Sequence, residues 1–173
     1  MKTINMIPFL ASFMDIYDDK LNVEHPELND IELQSTETIP QNGGLTSDDS
    51  PYMESPCIGQ NKSFVLYRNK DLCKEMGLSE IEQYSLIAHE IGHIIFNIKG
   101  ANGDLLAEEC YADEVAARIV GKDYILSALK RIREYILSNP LVPKQLFFLS
   151  SVQNDTTSKV MDARISALEN MTI

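Results

Sequence analysis

Residues 85–96 read SLIAHEIGHIIF, and the fold is decided in this stretch. Upstream, Ser79 is followed by Glu82, a capping-box pattern in which a serine hydroxyl and a glutamate carboxylate satisfy the first backbone amides of a helix. The spacing predicts a helix running to about residue 98, where Gly100 and Gly103 stop it. Leu86, Ile87 and Ala88 precede its polar centre and Ile94, Ile95 and Phe96 follow it, so the helix is apolar nearly all round and must be buried. The centre is His89-Glu90-Ile91-Gly92-His93. Residues four apart stand one above the other on a helix, so both imidazoles project from one face and can grip a single zinc ion. Glu90 lies beside that face, where a carboxylate can take a proton from water on the metal. Unpartnered histidine and glutamate in so apolar a helix would be costly, which argues against a chance occurrence.

Two histidines need a third protein ligand, with water in the fourth position of a catalytic zinc site. The only other histidine, His25, falls in a loose acidic stretch and reads as an exposed loop residue. The next helix, expected from about Asp104 to just before Gly121, offers carboxylates in AEECYADEVAAR, residues 107–118. Glu109 and Asp113 share a face with the small residues Ala112 and Ala116, which lets this helix approach the first closely. Glu109 is then the metal ligand, and Asp113 accepts the free N–H of a ligand histidine. Glu108, on the neighbouring stripe, competes for the ligand role. Without the histidines, this acidic cluster would read as a solvated helix face.

H-E-x-x-H followed sixteen residues later by E-x-x-x-D resembles the gluzincin metallopeptidases, and within them the ImmA/IrrE family and the minigluzincins. The likeness rests on the strand before the helix, on SLIAHEIGHIIF and on ECYADEVAA, about residues 58–120. It implies zinc, one ion per chain, held by His89, His93 and Glu109, with Glu90 as general base and Asp113 as the partner behind a histidine. That selects Glu109 over Glu108. It also implies an α+β, zincin-like domain, mostly helical, with a small sheet whose edge strand precedes the H-E-x-x-H helix. That strand would be KSFVLY, with Ser63, Phe64, Val65, Leu66 and Tyr67 aligning an extended substrate by backbone pairing. In HtpX-like relatives a late histidine and an arginine six residues on are thought to stabilise the oxyanion. Here Arg164 matches, but Ser158 stands in the histidine's place. Arg164 is thus a candidate catalytic cation with Tyr111 and Tyr124 behind it, against a plain reading as a helix-surface arginine. The chain also departs from the family in having Val115 where phenylalanine is common.

Residues 1–56 match no pattern of that family. They divide into an amphipathic helix over about 6–21, with Ile7, Leu10, Met14 and Tyr17 at helical spacing, and a proline-rich acidic stretch with a short strand at about 31–34. This region is read as part of the same domain or as a cover over it, with residues 57–173 forming the metallopeptidase domain. Later helices are expected at about 123–138, 144–151 and 156–170.

The length of 173 residues suits one domain, and 44% apolar with 24% charged residues fits a globular core. A net charge of −11 opposes binding to phosphate backbones and makes the basic stretch of residues 126–138 a solvated helix face, so no nucleic acid is expected as partner. Three cysteines without a C-x-x-C pair fit a reducing cytoplasm, and no apolar run reaches membrane-spanning length. Cys57 is weighed as an inhibitory thiolate against a semi-buried loop cysteine, and Cys110 as a packing residue. The function expected is a zinc-dependent metalloendopeptidase acting on a protein or peptide, regulatory in kind, such as one cleaving a transcriptional repressor. The alternatives are a non-catalytic zinc-bound interaction module, and a latent enzyme shut by its N-terminal segment.

Overall fold

The computed structural model describes residues 1–37, 52–56, 62–100, 104–139 and 154–172. Its centre is helix α3, Glu80–Ile98, buried at every position from Glu82 to Ile95. The cap forms as the sequence spells it. The Ser79 amide donates to Glu82 Oε2 at 2.7 Å and the Glu82 amide to Ser79 Oγ at 3.4 Å. Glu82 also reaches out of its own helix, accepting from Ser127 Oγ and from Arg131 Nε at 2.9 Å. Both partners lie on α5, Lys122–Ser138, so one carboxylate starts α3 and ties it to its neighbour. At the other end Gly100 takes a left-handed φ of 60°, a conformation that ends helices and suits glycine.

Among the described residues, a four-stranded sheet covers α3, in the order β1 (Lys2–Thr3), β2 (Glu32–Thr36), β4 (Ser63–Arg68), β3 (Tyr52–Pro56). The first three strands run parallel, and β3 is antiparallel to β4. The fold is therefore α+β and mostly helical, but the expected edge strand is not at the edge. Residues Ser63, Phe64, Val65, Leu66 and Tyr67 are paired on one side with β2 and on the other with β3. The edge on that side is β3, which lies against α3. β3 escapes sequence reading because YMESP ends in proline, which is tolerated at a sheet edge yet argues against a strand when met in a sequence.

The N-terminal stretch is more ordered than its composition suggests. Helix α1, Pro8–Glu24, starts with proline in its first turn, where no amide bond is lost, and buries Leu10, Phe13, Met14 and Leu21. A 3₁₀ turn, Pro26–Asp30, leads into β2, and Leu28, Ile31 and Leu33 join the same core as Leu66, Ile87 and Ile91. His25 is buried beside Glu27, 3.5 Å from its carboxylate, rather than exposed. Burial pulls its pKa down, so the ring is neutral at neutral pH.

After α3 comes α4, Leu105–Ala116, whose start is capped by Asp104. A π-helical turn, Ala117–Gly121, follows and breaks at Gly121, with φ 139°. Lys20 of α1 donates to the carbonyls of Arg118 and Ile119 at 2.6 and 3.1 Å, satisfying acceptors that the irregular turn releases. A short helix, α2 (Lys70–Glu75), lies between β4 and α3, and α6 spans Asn154–Asn170. The helix expected over 144–151 lies outside the described residues. Among those described, no helix is long and apolar enough to cross a membrane.

Burial opposes the charge on Glu82, but hydrogen bonds from Ser127, Ser79 and Arg131 outweigh it and bring its pKa down to about 2. A depressed carboxylate stabilises the fold above its unfolded pKa of about 4.3 and loses that contribution as pH falls toward the folded value. Glu82→Gln should therefore cost about 1.5–3 kcal/mol at pH 7. In thermal unfolding across pH, the gap to wild type should narrow steadily below about pH 4.3. A gap that stays constant down to pH 2.5 would contradict this.

Candidate metal centre

His89 and His93 leave α3 on the same side, one turn apart, with their Nε2 atoms 3.1 Å from each other. Glu109 reaches them from α4, with Oε2 at 3.4 Å from His89 Nε2 and Oε1 at 3.6 Å from His93 Nε2. One donor atom from each residue falls within 4.8 Å of the others, and all three side chains are buried. This group can hold a metal ion. Donors about 2.0–2.1 Å from a tetrahedral zinc stand about 3.3 Å apart, close to the separation of the two Nε2 atoms and to that of each from its nearer Glu109 oxygen.

The outer ring nitrogens make the case for a cation stronger. His89 Nδ1 lies 2.8 Å from Asp113 Oδ1, and His93 Nδ1 lies 3.0 Å from Glu108 Oε1. Carboxylates only accept, so each Nδ1 carries a proton, and a ring that is neutral presents its lone pair at Nε2. Two lone pairs facing each other and a carboxylate in a buried site repel unless a proton or metal ion stands between them. Burial disfavours charge on both rings. At His89 the Asp113 carboxylate more than offsets this and raises the pKa to about 9. His93, pressed by burial and by the charge on His89, falls to about 4.

Arg164 occupies a place that its sequence position conceals. It is on α6, 0% exposed, and its guanidinium clasps Asp113 through Nε at 2.8 Å and Nη2 at 2.7 Å. Its Nη1 pairs with Glu109 Oε2 at 2.8 Å. Burial works against the charges of Glu109 and Asp113, but the guanidinium outweighs it and holds both pKa values below the usual carboxylate range. Arg164 is thus not a surface arginine: its buried guanidinium lies beside the carboxylates of Asp113 and Glu109. Met161 and Leu168, three before and four after it on the same helix, are the signal that could have found it, since they mark its stripe as buried.

Of the remaining candidates, Glu90 is buried on α3 next to His89. Glu108 sits outside the triad as the acceptor for His93, a role distinct from the ligand role weighed for it. Of the lower-ranked oxyanion candidates, Tyr111 turns its hydroxyl to Lys99 at 3.0 Å and Tyr124 is 43% exposed beside Gly121. Cys110 is half-buried, and Cys57 lies outside the described residues.

What brings the two helices together is Gly92, between the histidines. A Cβ built there would stand 2.6 Å from Ala112 Cα, so the α3 and α4 backbones touch at this point. No protein-family model, no curated protein and no solved structure matches the chain.

Gly92→Ala gains about 1 kcal/mol of helix propensity, but the clash is with backbone that cannot swing aside, and overpacking of this kind costs about 1–3 kcal/mol or more. The variant should melt below wild type and bind divalent metal more weakly, because Glu109 is carried away from the histidines. Unchanged melting and metal affinity would mean that the helices do not meet at Gly92.

Proposed function

We propose that this chain is a zinc-dependent metalloendopeptidase of zincin-like fold, resembling the gluzincins of the ImmA/IrrE kind. The observation that carries the reading is the convergence of His89, His93 and Glu109 around one point, with Glu90 on the same buried helix as the two histidines. Three protein donors of this kind are the number that catalytic zinc sites use, the fourth position being left for water or substrate. A zinc ion held there supplies Lewis acidity to a peptide carbonyl and to water.

The chain's own residues do the rest. Glu90 takes the proton of the attacking water and returns it to the departing amine, a general-base and then general-acid role. Asp113 and Glu108 hold the ligand imidazoles in the tautomer that offers Nε2 inward. An extended substrate pairs with β3, the antiparallel edge against α3, in place of the internal strand β4. The resemblance to ImmA/IrrE points to cleavage of a particular protein, such as a repressor, rather than digestion.

Glu90→Gln tests the chemistry. Zinc content should stay at about one per chain. Cleavage of a fluorogenic peptide library should fall by about 10²–10⁴-fold, the usual contribution of a general base. A variant that cleaves at the wild-type rate would remove Glu90 from the mechanism, and equal inactivity of both proteins on every peptide and protein offered would favour the interaction module.

A further inference from the structure

We propose that the C-terminal helix α6 is a clamp on the metal site, its docking thermodynamically coupled through Arg164 to occupancy of the His89–His93–Glu109 group by a divalent cation. The proposal rests on the metal-binding reading above. The buried stripe of α6 consists of Met161, Arg164 and Leu168, with the charged side chain, 0% exposed, between two apolar anchors. Among the described residues, the other polar ties from α6 to the body are Lys130–Glu169, Arg133–Asp162 and Lys122 on the carbonyls of Glu169 and Met171. The side chains of the two ion pairs are about half exposed, and such surface pairs contribute little. The one deeply buried polar tie runs into the metal site itself.

Seen from the site, the dependence is mutual. Glu109 presents Oε1 toward His93 while Arg164 holds Oε2, and Asp113 accepts from His89 while the same guanidinium clasps both its oxygens. Undocking α6 would take the guanidinium away from both carboxylates. They would repel, and the Glu109 oxygen and the His89 ring would lose their aim. Repulsion between guanidinium and a divalent ion opposes the coupling. Against it stands orientation, since the docked guanidinium fixes the Glu109 carboxylate that faces His93 and the Asp113 carboxylate that aims His89. Arg164 is therefore a positioning residue. Coupling is reciprocal, so whatever factor α6 docking adds to metal affinity, metal adds to α6 docking.

Hydrogen exchange read by mass spectrometry on the full wild-type chain tests this, comparing chelator-treated protein with protein saturated by zinc in a parallel binding titration. Partners behind metal ligands change affinity by about 10–100-fold, and amides of 154–170 should slow on zinc addition by a factor in that range. Arg164→Met should bind zinc at least about tenfold more weakly, with α6 exchange no longer responding to the metal, and Arg164→Lys should restore part of both. If Arg164→Met does not fold, the wild-type comparison and the lysine variant decide. Exchange in α6 that is unchanged or faster with zinc, while α3 and α4 slow, would overturn the clamp and leave the metal site standing. A wild type that takes up no zinc in the titration would overturn the metal reading, and the clamp with it.

Discussion

Five ionisable side chains, His89, His93, Glu109, Asp113 and Arg164, lie in the interior of this protein, each at least nine-tenths buried. Burying one unpaired charge costs several kcal/mol, so such a group persists only if its members neutralise and hydrogen-bond one another. Here they do so as a chain. Arg164 holds Asp113 and Glu109, Asp113 holds His89, and Glu109 faces both histidines. The chain of contacts leaves two imidazole lone pairs and a carboxylate oxygen turned to one point, a demand that a cation meets. The rest of the structure can be understood as what keeps those five side chains in place.

Three devices do this, and each is a small residue choice with a large geometric effect. Glu82 caps α3 and binds Ser127 and Arg131, fixing the helix that carries both histidines against α5. Gly92 removes the one side chain that would hold α3 and α4 apart, so Glu109 can reach across. Arg164 brings α6 over the back of the site. Among the described residues, the sheet sits against α3 with β3 at its edge.

Much of this was legible in the sequence because it is local. The Ser79–Glu82 cap, the one-turn spacing of His89 and His93, and the shared face of Glu109 and Asp113 are all contained within single helices, where periodicity places side chains directly. Sheet order is not local. Nothing within KSFVLY shows that it is paired on both sides, and β3 hides behind Pro56 and a run of few apolar residues. Arg164 lies far from its partners along the chain, and a lone arginine on a mostly polar helix reads as solvated until the stripe of Met161 and Leu168 is taken into account. Glu108 was recognised as close to the site, but only the side-chain directions of two packed helices separate a ligand from an acceptor behind one. His25 illustrates the converse, a residue read as exposed from its polar surroundings and buried by the turn that leads into β2.

Glu109 faces both histidines at the point where a metal ion could be held, while Glu108 supports His93 from outside. Elemental analysis of the purified protein beside Glu109→Ala and Glu108→Ala tests this directly. The expected result is about one zinc per chain in wild type and none in Glu109→Ala. Glu108→Ala should keep the metal with an affinity about 10–100-fold weaker. A folded wild type that contains no metal and takes up no added zinc would contradict the claim, as would loss of the metal with Glu108→Ala alone.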